Sequence, residues 1–170
     1  MSYDRKKCEL MFKHGCAFAD CGRHCEIEPI SNEQKVGSFT IAGIVNSAFS
    51  CEIFLKTLLI ISGSTTTPYG HKLLDLWNEF EKLDPTLSNS IRLQIQNIFN
   101  SKNYYLVDNL LAVDTISDAF PHWRYIYEDD KKTKLCMNRN FISIFRNILQ
   151  EKCCEKIFGC SWSEYVAKTK

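Results

Sequence analysis

The stretch from Phe39 to Ile61 constrains this chain most, because Glu52 and Lys56 are its only charged residues. Wound at 3.6 residues per turn, it carries apolar side chains on every side, the pattern of a helix buried all round. Glu52 and Lys56 are four apart and share one face with Val45, Phe49 and Leu59. Charges on an apolar face need partners, since an unpaired buried charge is costly. The stretch is long enough to span a bilayer. At the bilayer centre, however, Glu52 and Lys56 would each cost about 2.5–3.5 kcal/mol. A buried helix of a bundle, with no membrane association, is therefore expected.

The length of 170 residues suits a single helical domain spanning 1–170, with a core over about 5–152 and a tail over 155–170. The content, 45% hydrophobic and 24% charged, is that of an ordinary globular chain. A net charge of +1 excludes a global field that would hold a polyanion, so nucleic-acid binding would need a local patch or a dimer groove. The basic runs, Arg5-Lys6-Lys7 and residues 129–134, read as a helix start and a solvated loop. The first residues lack a signal-peptide pattern, and a cytoplasmic location is expected. Nine cysteines, an odd count in such a setting, read as free thiols.

No segment alternates with the period of two that marks a strand, and the spacing predicts an all-α up-and-down bundle of about six helices. The first helix is expected from about Asp4 to Ile27, ended by Glu28-Pro29. Its predicted core stripe is Leu10, Met11, His14, Phe18, Cys21 and Cys25, with Cys16 pointing away and Lys13, Asp20 and Arg23 wet. His14, Cys16, Cys21, His24 and Cys25 have zinc-ligand chemistry, but no CxxC pair occurs, and buried thiols are preferred to a metal site. Ser31 and Gln34 resemble a capping box for the central helix. Further helices are expected from His71 to Leu83, from about Ser88 to Phe99, from Tyr104 to Tyr127 with an interruption at Pro121, and from Asn140 to Cys154. A short one is expected over Ser161 to Ala167.

Three short stretches carry possible chemistry: Asn46-x-Ala48-Phe49-x-Cys51-Glu52-x-x-Leu55-Lys56, Gly70-His71-x-Leu73, and Phe120-x-x-Trp123-Arg124-Tyr125-x-Tyr127-Glu128. Together they resemble a bacterial branch of the HEPN (higher eukaryotes and prokaryotes nucleotide-binding) superfamily, in element order over residues 5 to 152. The resemblance implies an all-α bundle, often homodimeric, that binds nucleotides, cleaves RNA in defence or toxin–antitoxin systems, or acts as a scaffold. The ribonuclease members carry an arginine followed by a histidine after four to six residues. Such a pair suits metal-free cleavage, supplying a proton-transfer group and a cation for the charge building on phosphate.

No histidine follows an arginine at that spacing here. His122-x-Arg124 reverses the order and shortens the gap, so the standard ribonuclease site is not expected. If a catalytic site exists, His122, Arg124 and His71 are its candidates. The group Glu52, Lys56, His71, Arg124 and Glu128 reads either as a buried ionic network or as a ligand site. In the second case Lys56, His71 and Arg124 would face a phosphate or nucleobase. Glu52 would orient Lys56, Glu128 would orient Arg124, and Tyr125 beside Trp123 would stack a base. No cofactor is expected. The resemblance implies a homodimer, a nucleotide or RNA, and a cognate protein as partners. An RNA endonuclease with non-standard residues and a pure scaffold remain the two alternatives. No phosphate-binding glycine loop, G-x-S-x-G elbow or H-E-x-x-H motif is present.

Overall fold

The computed structural model describes residues 3–27, 40–64, 70–102, 104, 113–114, 116–117 and 138–169. Six helices lie among them and no strand does: α1 (Arg5–Ile27), α2 (Thr40–Ile61), α3 (Leu73–Leu83), α4 (Pro85–Ser101), α5 (Arg139–Phe158) and α6 (Trp162–Thr169). The all-α bundle expected from the spacing is thus the fold. The helix expected over 104–127 and the Ser31–Gln34 cap fall largely or wholly outside the described residues.

Helix α2 is the centre. Phe54, Leu55, Leu58 and Leu59 are fully buried, and α1, α3 and α5 pack around it. It is long and apolar enough to cross a membrane by composition, yet most of that apolar window is buried inside the protein. Helix α3 buries Leu73, Leu76, Trp77 and Phe80. Asp84 ends α3 and at once caps α4, accepting from the Leu87 amide at 2.9 Å, with Pro85 at the first turn. Helix α4 therefore starts three residues before the expected Ser88. Helix α5 buries Phe141, Phe145, Ile148 and Leu149, leaves Ile144 half-buried, and runs four residues past the expected end at Cys154, to its left-handed cap Gly159.

The expected core stripe of α1 is corrected by the structure. Leu10, His14 and Cys21 are exposed, with Leu10 at 56%, and Met11, Phe18 and Cys25 are only half-buried. The buried face carries Cys8, Phe12, Gly15, Cys16, Ala19 and Gly22, so Cys16 points inward. Small residues explain the choice, because they let α1 approach α2 closely. A Cβ at Gly15 would sit 2.5 Å from the Phe54 ring, and one at Gly22 would sit 2.4 Å from Ser47 Oγ. A count of large apolar residues overlooks a seam made of glycine, alanine and cysteine. Leu83, at the end of α3, is 41% exposed.

Candidate functional site

Glu52, on the α3-facing side of α2, is 2% exposed. One turn on, Lys56 Nζ donates to Glu52 Oε1 at 2.8 Å. The third member arrives from the loop before α3. Gly70 takes a φ of +105°, a conformation that favours glycine, and the next residue lies over α2. There His71 Nδ1 lies 3.1 Å and 3.2 Å from the two carboxylate oxygens of Glu52. An ionised carboxylate only accepts, so Nδ1 is the protonated nitrogen of His71, and in the neutral ring the lone pair belongs to Nε2. The imidazole is 63% exposed, whereas the Lys56 side chain is 16% exposed and that of Glu52 is 3%. The cluster therefore has a dry anionic base and a wet rim.

His71 does not cap α3. The Leu74 amide at that helix start donates instead to Ser117 Oγ at 3.0 Å, and Ser117 is buried. The short segment around Ser117 thus docks at the end of α3 that carries His71. His122, Arg124, Tyr125 and Glu128 lie outside the described residues. Of the expected site group, Glu52, Lys56 and His71 are brought together.

A second ionic cluster lies where α1, α2 and α5 meet, and its central pair, Arg146 and Glu26, was not singled out from the sequence. Arg146 of α5 is 1% exposed. Its Nη1 donates to Glu26 Oε1 at 2.8 Å and to Ser47 Oγ at 2.7 Å, and its Nη2 reaches Glu26 Oε2 at 3.3 Å. Nε donates to Asn147 Oδ1 at 3.2 Å. Ser143 Oγ adds a further donor to Glu26 at 2.8 Å. Arg23 extends the network to Asn147 and Gln150, and Gln150 Nε2 donates to Cys16 Sγ at 3.2 Å. The signal was available: Arg146 lies beside Phe145 and four residues after Ile142, within the inward stripe of α5. A small cleft borders this cluster between Cys25, Gly43, Arg139 and Ser143, with Glu26 in its wall.

The eight described cysteines are free thiols. Burial pushes Cys16 up to about 11, and Cys51 and Cys154 up to about 12. Cys153 is pushed well above the ordinary thiol range by the same cause. Such thiols are poor nucleophiles and pack as small apolar groups. Among the described residues no set of three or more histidine, cysteine or carboxylate side chains is arranged to hold a metal.

The fold and these two clusters define an all-helical bundle with one closed and one open ionic group. No family model matches the chain, and neither a curated protein nor a solved structure does.

Proposed function

We propose that this chain is a HEPN-like module that binds a nucleotide or an RNA phosphate at the His71 edge of the bundle and lacks the standard ribonuclease site. One observation carries the reading: a buried carboxylate, Glu52, fixes a lysine and a largely exposed imidazole side by side. The Lys56 ammonium and the His71 ring are pre-positioned by the same anchor, which lowers the ordering cost of meeting an anion. Ser117, seven residues before Arg124 in the chain, docks at the start of α3, two residues beyond His71. Arg124, whose guanidinium is a good fork for phosphate, is assigned that role, with Tyr125 to stack a base and Glu128 to orient the guanidinium. The setting implied by the resemblance is a bacterial defence or toxin–antitoxin system in the cytoplasm, with a cognate protein partner.

The same geometry favours a second reading. Both oxygens of Glu52 are already engaged within the protein, which suits a scaffold whose cluster only locks α2 to the start of α3.

Binding of nucleoside monophosphates and a short RNA to purified wild type, Lys56→Ala and Arg124→Ala separates these readings, together with incubation on total RNA without metal. Binding by wild type that is lost in both variants, without cleavage, supports the module. Stable folding with no binding leaves the scaffold. Cleavage that disappears in His122→Ala and Arg124→Ala establishes a nuclease in place of the module.

A further inference from the structure

The joint between α5 and α6 turns on a single residue. Gly159 stops α5 with a φ of +69°, and its amide donates to the Glu155 carbonyl at 3.0 Å. Ser161 starts α6 in a capping box: its amide donates to Glu164 Oε2 at 2.8 Å, and its Oγ accepts from the Glu164 amide at 3.2 Å. Only Cys160 lies between the stop and the cap. After a left-handed glycine the chain turns back over the last helical turn. The next residue then commonly touches the side chain four or five positions before the glycine. Cys160 follows Gly159, and Cys154 stands five before it. That contact is made here, and the two thiols hydrogen-bond to each other.

The two sulfurs differ in access. Cys154 is fully buried, whereas Cys160 is half-buried against the edge of the core. The neighbouring thiols are turned elsewhere: Cys153 Sγ donates to the Phe54 carbonyl of α2 at 3.4 Å, and Cys16 Sγ accepts from Gln150. A reachable thiol backed by a dry one is the arrangement of an attacking and a resolving cysteine.

We propose that Cys160 and Cys154 form a redox-modification site, closed to an intramolecular disulfide by a low-molecular-weight disulfide, and that closure fixes α6 on the bundle. Burial pushes Cys154 up to about 12 and keeps it protonated, so Cys160 attacks first. As a thiolate, Cys160 attacks one sulfur of the small disulfide. That S–S bond breaks, and the first small thiolate leaves and takes up the proton that Cys160 lost. Cys154 then attacks the Cys160 sulfur of the mixed disulfide. The bond from Cys160 to the second small thiol breaks, and that thiolate leaves with the Cys154 proton. Two protein thiols are oxidised by two electrons, and one small disulfide is reduced to two thiols. Excess small thiol runs the exchange backwards.

Helix α6 is the element that such a bond would govern. It has eight residues and none is fully buried, and a helix of that length is marginal without docking. Its hold on the bundle is the Trp162 and Tyr165 rings, each 5.9 Å from the Phe12 ring of α1, and the Trp162 amide donating to Glu151 Oε2 at 3.1 Å. A cross-link at the joint restricts the directions in which α6 can leave, and so suppresses its undocking.

The test treats the full chain with oxidised glutathione, in a Cys21→Ala background that removes an exposed thiol. Cleavage after Lys152 and Lys156 puts Cys153-Cys154 and Cys160 on separate peptides, so only a disulfide joins them. The expected product has lost two thiols, has these peptides linked through Cys154, and is restored by dithiothreitol. Cys153→Ala should keep the link. Cys154→Ala should lose it and hold glutathione on Cys160. Fragmentation of the linked peptide from the Cys21→Ala protein identifies the paired sulfur whether or not either variant folds. Hydrogen exchange should show the α6 amides slowed by roughly tenfold in the oxidised chain. A Cys160 that stays unmodified, that keeps its glutathione while Cys154 is present, or that pairs with another thiol overturns the site. Equal exchange of α6 in the two states overturns its control of that helix.

Discussion

Two ionic clusters touch α2 five residues apart, one at Ser47 and one at Glu52, and they are built in opposite senses. In the first the buried group is a cation, Arg146, and its anion Glu26 reaches water at 30% exposure. In the second the buried group is an anion, Glu52, and the group that reaches water is the imidazole of His71. The sign that surfaces decides what each region can meet. The Arg146 cluster draws donors from α2 and α5 onto Glu26 and closes a three-helix joint. The Glu52 cluster turns the largely exposed His71 ring, beside the partly buried Lys56 ammonium, towards water. Burial and partner count, more than the presence of charge, separate structural glue from a candidate site.

High pH should break the closed side hardest. Cys16, Cys51 and Cys153 lie in the α1–α2–α5 core, and burial holds each above the ordinary thiol value of 9.0. The folded chain keeps protons that the unfolded chain releases. Stability is therefore full below pH 9 and is lost as pH rises towards the folded values of about 11 for Cys16 and about 12 for Cys51. Circular dichroism against pH should show that fall, and Cys51→Ala should shift it upward. Helicity unchanged to pH 12 would contradict the burial of these thiols.

The next effect separates the two partners of the closed pair. Glu26→Ala strands a guanidinium that is 1% exposed and should cost about 3–5 kcal/mol. Arg146→Met leaves behind a carboxylate that is already 30% exposed and should cost less. Urea unfolding that gave the reverse order would mean that Glu26, not Arg146, is the dry member.

Smaller changes probe each cluster's margin. Gly22→Ala drives a Cβ to 2.4 Å from Ser47 Oγ and to 3.0 Å from Arg146 Nη1, and should cost about 1–3 kcal/mol. Lys56→Ala should fall in the range of about 1–3 kcal/mol, because Glu52 keeps its contact with His71. A loss for Lys56→Ala as large as that for Glu26→Ala would erase the contrast between the closed and the open cluster.

The sequence made some of this contrast legible. The uninterrupted apolar run of α2 marked it as the central helix, and two charges inside that run marked Glu52 and Lys56 as residues needing partners. That His71 is one of those partners followed from the grouping of motifs, but Gly70's positive φ, which delivers it, is a backbone property that spacing does not display. Periodicity misplaces the face of α1 because it weighs large apolar side chains, whereas the α1–α2 seam is chosen by close backbone approach at Gly15 and Gly22. Arg146 is hidden in the sequence by the apolar residues around it, which dominate the periodicity of that helix. The same rule that flagged Glu52, a charge within an apolar stripe, would have found it.

The most direct test of the open cluster is a binding titration of a nucleoside monophosphate, run in parallel on wild type and His71→Ala. The imidazole is 63% exposed, so its removal should cost at most about 1 kcal/mol of stability. The account predicts saturable binding by wild type and at least about tenfold weaker binding by His71→Ala at an almost unchanged melting temperature. Equal binding by the two proteins, or none by wild type, would contradict it.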